Sequence, residues 1–337
     1  MNDAKKLVIG MVGVANFGAY RRARLRDAGC FELVAVCDRQ SDWLARAAQE
    51  ENARAYDDFE AMLGHPGLEG VVISTGADSH ARFAIAAMKK GLHVFIEKPL
   101  CCSVAEVQAL RQAQRETGRV VGVGHNHCAS DGLLNLAKRY IEDGRLGTVV
   151  AFEENSSHSG GLEIKPGDWR GLAGRNPGGM LFQCGVHALH ALAYLFGPAD
   201  AVQAMMRYDA NPNTETADAA NVLLHCRSGL IGTLNCYHVT AYCHELRIFG
   251  TKGNLYLDTH KNLAWFQPRQ RNAVEEREPV AVPPASPEHA HANVLSWYHG
   301  IRQGTPVYPG LEDGIAAVLP VFAAEQSARE KRQENVG

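Results

Sequence analysis

The 337-residue chain has no long hydrophobic run, no strong charge of either sign, no CxxC pair and no internal repeat. Each absence removes a class of protein. No apolar stretch approaches the roughly 18 residues that cross a bilayer as a helix. The segment Met1-Asn2-Asp3-Ala4-Lys5-Lys6 is followed by a short, glycine-broken apolar stretch, Leu7 to Val14, which is not expected to act as a signal peptide. A net charge of −3 and a pI near 6.6 leave no basic patch for a nucleic-acid partner. Nine cysteines, an odd number without metal-type spacing, read as reduced and mostly buried thiols of a cytoplasmic protein. What is present is ordinary globular material: 46% apolar and 21% charged residues, enough for a sizeable core and about two domains.

The first 125 residues alternate between two textures. Leu7–Gly13, Phe31–Cys37, Gly70–Ser74, His93–Ile96 and Arg119–Val123 are short apolar runs of strand type. Between them lie helical segments. Ser41–Asn52 has Ser41 placed to cap it, and Ser79–Lys90 also opens on a serine. Ser103–Thr117 opens on a Ser103-to-Glu106 capping-box pattern and stops before Gly118. Continuous apolar strands alternating with helices predict parallel βαβ units covered on both faces. Beyond residue 125 the rhythm changes. A helix is expected over Asp131–Glu142, a Gly/Pro-rich loop over Ser159–Gly179, and one apolar helix over Met180–Phe196. Strands are expected at Ala219–Cys226, Leu230–Val239, His244–Phe249 and Asn254–Leu257, followed by a Pro-rich loop over Val280–Pro287 and closing helices over about 288–303 and 311–330. The expected class is α/β: an N-terminal Rossmann domain with a doubly wound parallel sheet over residues 1–125. A C-terminal α/β domain with a large, open, mostly antiparallel sheet follows over 126–337, its last helix able to return to the first domain.

Gly13-Val14-Ala15-Asn16-Phe17-Gly18 is a G-x-A-x-x-G loop between the first strand and a helix over Phe17–Ala28. Glycines permit the turn and helix N-terminal amides face an anion, so Gly13, Ala15, Asn16, Phe17 and Gly18 are candidate pyrophosphate-binding residues. Ala15 stands where a second glycine is usual, a tight but tolerable methyl. Asp38 ends the second strand 20 residues after Gly18, where a carboxylate accepts from a ribose 2′-hydroxyl. Asp38 would repel a 2′-phosphate, which favours NAD. The neighbouring Arg39 could accept that phosphate, which keeps NADP as the alternative.

The loop, the stretch Ser74-Thr75-Gly76-Ala77-Asp78-Ser79-His80 and Glu97-Lys98-Pro99 together resemble the Gfo/Idh/MocA family, the glucose-fructose oxidoreductase and inositol dehydrogenase group. The similarity continues through Gly178-Gly179-Met180-Leu181, Gly185-Val186-His187, Gly250-Thr251-Lys252-Gly253 and Leu311-Glu312-Asp313-Gly314. It implies a Rossmann domain plus an open-sheet domain with an active site between them, and hydride transfer between a nicotinamide and a secondary alcohol of a sugar or cyclitol. It further implies that Ser74, Thr75, His80, Glu97 and Lys98 line the cofactor site, with Lys98 the catalytic lysine and His187 the second-domain histidine. Pairing through the second domain's sheet, as a homodimer or homotetramer, is expected as well; Leu230–Val239 carries Leu, Cys, Tyr and Val on its faces.

Alcohol oxidation needs a hydride acceptor and a base for the hydroxyl proton, and reduction needs the reverse. A lysine beside a nicotinamide cation suits that exchange. The chain departs from the family at three places. Gln183 stands where an aspartate commonly sits four residues before the histidine; glutamine positions a hydroxyl but takes no proton, which shifts the burden from His187 toward Lys98. His190 replaces a later aspartate. His125-Asn126-His127 replaces a basic strand end and changes the pocket floor, making His125 and Asn126 candidate substrate contacts with Gln183 and His187. Asp168-Trp169-Arg170 resembles a pocket segment in which Trp169 and Arg170 would stack on and bond a polyhydroxylated ring; a loop anchored by a buried tryptophan is the equal alternative. Cys184, His187 and His190 follow at i, i+3 and i+6, but packing plus one catalytic residue outweighs zinc, and no metal is expected. The expected activity is an NAD(P)-dependent dehydrogenase or reductase. A glycosidase that oxidises its substrate transiently and a non-catalytic ligand sensor are the alternatives, with a small polyol as partner and no nucleic acid or membrane.

Overall fold

A computed structural model describes residues 5–270 and 276–337. The chain divides into two compact units, the first formed by residues 1–127 and 287–315, the second by 128–286 and 316–337.

In the first unit, β1 (Leu7–Val12), β2 (Phe31–Cys37), β3 (Arg54–Tyr56), β4 (Gly70–Ile73), β5 (His93–Ile96) and β6 (Val121–Val123) form a six-stranded parallel sheet in the order β3-β2-β1-β4-β5-β6. The helices are α1 (Phe17–Ala28), α2 (Ser41–Glu51), α3 (Phe59–Leu63), α4 (Ala77–Lys89) and α5 (Val104–Thr117). This is the doubly wound order, with the reversal between β1 and β4. β4 is buried at all four positions, which explains its uninterrupted GVVI. Trp297, fully buried, packs on Phe31 and Phe95, so the later helix α8 (Ala292–Gln303) belongs to this core.

Three helix starts can be compared with expectation. Ser103 does cap α5: its Oγ accepts from the Glu106 N–H at 3.2 Å. Glu106 reaches back to the Cys102 N–H at 2.7 Å, one residue earlier than a regular capping box. Ser41 is not a cap. It is the first helical residue, Gln40 takes the cap position, and the Ser41 hydroxyl turns to Asp42. α4 begins two residues before Ser79, whose hydroxyl instead donates to the Gly76 carbonyl at 2.9 Å.

The second unit carries α6 (Gly132–Glu142), α7 (Val186–Phe196) and a nine-stranded sheet. Its strands are β7 (Val149–Ser157), β8 (Ala199–Arg207), β9 (Ala219–Cys226), β10 (Ile231–Tyr237), β11 (Cys243–Gly250), β12 (Gly253–Asp258), β13 (Leu263–Pro268), β14 (Glu278–Val280) and β15 (Glu334–Asn335). The order is β14-β13-β12-β11-β7-β10-β9-β8-β15, with β7 and β10 parallel and every other neighbouring pair antiparallel. The closing helix α9 (Leu311–Glu330) contains Pro320, and the boundary between the units falls within it. The expected single helix over Met180–Phe196 is two pieces, a π-turn over Leu181–Gly185 and then α7. Gly178 and Gly179, at φ of +74° and +58°, lead into the π-turn. A Cβ on Gly179 would lie 2.2 Å from the Ala217 carbonyl oxygen, so the chain enters under close backbone contact.

Candidate active site

The glycine loop lies at the carboxyl end of β1. Gly13 has φ +82°, and a Cβ there would stand 2.5 Å from the Ser74 carbonyl oxygen; one on Gly18 would stand 2.2 Å from the Gly13 carbonyl oxygen. The turn is closed by Gly18 N–H donating to the Ala15 carbonyl at 2.8 Å. Asn16, at φ 48°, occupies the cap position of α1 without a side-chain cap bond, and no acidic residue lies in the helix's first turn. An uncapped helix start free of carboxylates is what a pyrophosphate requires. Asp38 accepts from the Val14 N–H at 2.9 Å through one oxygen and from the Gln40 N–H at 3.0 Å through the other. Each oxygen retains a second lone pair for a ribose hydroxyl. Arg39 beside it is exposed. These residues fit a dinucleotide with its adenosine ribose at Asp38.

Because β1, β4 and β5 are parallel neighbours, the residues following them share one edge of the sheet. That edge brings together the glycine loop, Ser74-Thr75 and Glu97-Lys98. Lys98 is half-buried and precedes a cis peptide bond to Pro99. His80 is buried, with Nδ1 2.8 Å from the Pro99 carbonyl and Nε2 3.0 Å from the Thr75 carbonyl. A neutral imidazole donates to only one of them; burial holds the His80 pKa below the usual histidine value. Both ring nitrogens face backbone carbonyls, so His80 ties the stretch after β4 to the one after β5. Glu97 is likewise buried: its Oε1 accepts from Arg21 Nε at 2.5 Å, and its Oε2 meets no donor among the described residues. His125 is buried, with its carbonyl bonded to Asn293 Nδ2 at 2.9 Å, whereas Asn126 is exposed.

In the second unit, Gln183 and Cys184 lie in the π-turn and His187 in the first turn of α7, all partly exposed. π-turns inside helices frequently mark functional sites. The evenly spaced stripe Cys184–His187–His190 is broken up. Cys184 Sγ lies 3.3 Å from His158 Nε2 at the end of β7, while buried His190 places Nδ1 3.4 Å from Cys128 Sγ. His158 Nδ1 accepts from the Gly160 N–H at 2.9 Å, which leaves Nε2–H to donate to the Cys184 sulfur. His238 packs against His158 with ring centroids 5.0 Å apart. Burial, with help from His158 and Arg170, pushes its pKa down to about 4. Arg170 holds Asp168 in a forked ion pair, 2.6 Å at its shortest, and Trp169 is exposed rather than a buried anchor. Among the described residues, no three His, Cys, Asp or Glu side chains group as metal ligands, and no helix is long and apolar enough to cross a membrane. Arg21, Asn293 and His158 were not singled out from the sequence. Each acts through a partner distant in the chain, which leaves no local spacing to find.

Residues 7–125 match the family model of an oxidoreductase family with an NAD-binding Rossmann fold, and residues 134–256 match the GFO/IDH/MocA C-terminal domain. Myo-inositol 2-dehydrogenase of Thermotoga maritima is 22% identical over 331 residues, covering 96% of this chain and 97% of that protein. D-apiose dehydrogenase of Paraburkholderia graminis is 26% identical over 340 residues, covering 97% and 89%. The structure of a levoglucosan dehydrogenase in complex with NADH and L-sorbose superposes with a TM-score of 0.86 at 19% identity, covering 98% of this chain and 99% of the other. With both family domains present in order and a glycine loop shaped for a dinucleotide, the chain belongs to the Gfo/Idh/MocA family of NAD-binding oxidoreductases.

Proposed function

We propose that the protein is an NAD-dependent dehydrogenase or reductase that interconverts a secondary alcohol and a ketone on a sugar, cyclitol or related polyol. The observation that carries this reading is the shared sheet edge of the first unit, where Lys98 follows β5, with β4 between it and the dinucleotide loop that follows β1. The nicotinamide cofactor, when bound, supplies the hydride acceptor or donor. Lys98 then exchanges the hydroxyl proton, as amine in oxidation and as ammonium in reduction. Gln183 and His187 of the second unit are assigned to substrate hydroxyls: Gln183 can donate and accept but not take the proton, and His187 can do both. Trp169 offers a face for a sugar ring; Arg170, committed to Asp168, shapes that loop rather than reaching freely. The inositol and apiose dehydrogenases among the relatives support this substrate class.

The same proposal covers assembly. Met205, Leu223 and Ile231 lie on one face of β8, β9 and β10 and are 78%, 55% and 57% exposed. Leu234 and Cys236, counted among the apolar residues of that segment, turn to the covered face and are fully buried. An exposed apolar sheet face of this kind supports a homodimer, or a tetramer built from dimers.

The test is a panel of sugars, cyclitols and sugar acids assayed at 340 nm with NAD and NADP, run in parallel on Lys98→Ala. Turnover with at least one polyol, reduced on the order of 10²–10⁴-fold in Lys98→Ala with little change in NAD affinity, is the expected result. Undiminished kcat in Lys98→Ala would place the base elsewhere.

A further inference from the structure

Lys98 is held by its neighbours on both sides. On one side Pro99 is held through its carbonyl by His80. On the other, Glu97 is anchored by an ion pair that has no evident reason to exist for stability. Arg21 and Glu97 are 2% and 3% exposed, and their N–O separation is 2.5 Å. Desolvating two charges offsets most of what their attraction gains, so such a pair adds little stability over an apolar one of similar volume. What it adds is direction. The Arg21 guanidinium is planar and forked. Its Nε faces Glu97 and its Nη1 faces Asn293 Oδ1 at 3.2 Å, with the plane 4.9 Å from the Phe95 ring centroid. Asn293 in turn donates to the His125 carbonyl at 2.9 Å. The Glu97 carboxylate is hemmed in on its other side as well: a Cβ on Gly124 would lie 2.4 Å from its Oε2. The Glu97 backbone donates to the Ile73 carbonyl at 2.9 Å, which keeps the residue in line with β4.

We propose that Arg21 is a positioning residue for Lys98, acting through the buried ion pair with Glu97, and that Asn293 and Gly124 fix the geometry of that pair. This inference rests on the reading of Lys98 as the proton-transfer group. Arg21 stands one turn inside α1, the helix whose start forms the dinucleotide loop. The pair therefore links the helix that meets the phosphates to the residue that meets the substrate.

The experiment compares wild type, the double variant Arg21→Met/Glu97→Met, which removes both charges at similar volume, and Gly124→Ala, which crowds the carboxylate without altering any charge. Three quantities are read: thermal midpoint, NADH affinity by fluorescence, and the rate at which trinitrobenzenesulfonate labels Lys98, followed by peptide mass spectrometry. The midpoint of the double variant should stay at or above that of wild type, and NADH affinity should change less than threefold. Labelling of Lys98 should rise at least fivefold in both variants as the amine loses its fixed setting. With any polyol turned over by wild type, kcat should fall 10- to 100-fold and KM should change less than threefold. Wild-type labelling rates in a folded double variant, or in Gly124→Ala should the double variant fail to fold, would overturn the inference. Lys98→Ala separates the two ideas. If it loses turnover while the ion-pair variants keep wild-type labelling and kcat, only the positioning role fails; if it keeps turnover, the reading of Lys98 fails.

Discussion

Glu154 should make the second unit lose stability as pH rises, in a window where most proteins are insensitive. The residue sits in β7, flanked by β10 and β11, on the covered face of the sheet, and is 6% exposed. Ser156 Oγ donates to its Oε1 at 3.2 Å, and no cation pairs with it among the described residues. Burial raises the carboxyl from its ordinary 4.5 to about 8, and repulsion from Glu245 adds to the rise while the Ser156 bond opposes it. Between those two pH values the folded state keeps the proton and the unfolded state has lost it. The stability tied to that proton is therefore complete below about pH 4.5 and is lost as pH rises through about 8. At about 1.4 kcal/mol per unit, the full span is worth about 5 kcal/mol, a large share of the roughly 5–15 kcal/mol that holds a domain together. Glu154→Gln keeps the shape and the acceptor for Ser156 but carries no proton to lose. It should match wild type at pH 5 and exceed it at pH 9, by roughly 10–20 °C in the melting midpoint for a unit of this size. Circular-dichroism melts at pH 5, 7 and 9 provide the check. Curves for the two proteins that run parallel across that range would refute the claim that Glu154 is neutral in the fold.

Asp38→Ala should weaken NAD binding and narrow its advantage over NADP, read as the ratio of dissociation constants; a wild-type preference for NADP, abolished by Arg39→Ala, would reverse the assignment. Leu223→Glu combined with Ile231→Lys should convert the assembly to a monomer in light scattering, and a wild-type mass that is already monomeric at every concentration would remove the premise. Gln183→Asp introduces a carboxylate one turn before His187 and should raise the histidine's pKa and shift the pH–rate profile. A higher KM with an unmoved profile would mean that Gln183 only bonds a substrate hydroxyl.

The first unit was legible because its strands are buried on both faces. LVIGMV, GVVI and HVFI can hardly be anything else, and three of the helices between them stop at glycine or asparagine where the chain turns left-handed. In the second unit β7 escaped notice. Its covered face carries Phe152, Glu154 and Ser156, so the alternation that announces a half-buried strand is hidden by polar residues facing inward. β8, ADAVQAMMR, is hidden for the opposite reason: Met205 sits on the outer face, exposed in the single chain, and blurs the same pattern. The π-turn was invisible because LFQCG satisfies an apolar α-helix equally well; the close backbone approach at Gly179 helps set where the helix is entered.

The polar architecture around Lys98 shows a different limit. Arg21 and Glu97 are separated by 76 residues, Arg21 and Asn293 by 272. Hydrophobic periodicity reports which face of an element is covered, and Arg21 violates it, lying buried on α1 beside Arg22 and Leu25. A buried arginine is tolerable only with a partner, so this violation is itself a signal, though one that names no partner. Gly124 is a second trace of the same arrangement: it directly follows the expected strand and leaves room for the carboxylate that a methyl group would displace. A charged residue on a covered helix face and a glycine at a strand end both point to one buried carboxylate. In this fold that carboxylate is Glu97, the residue immediately before Lys98.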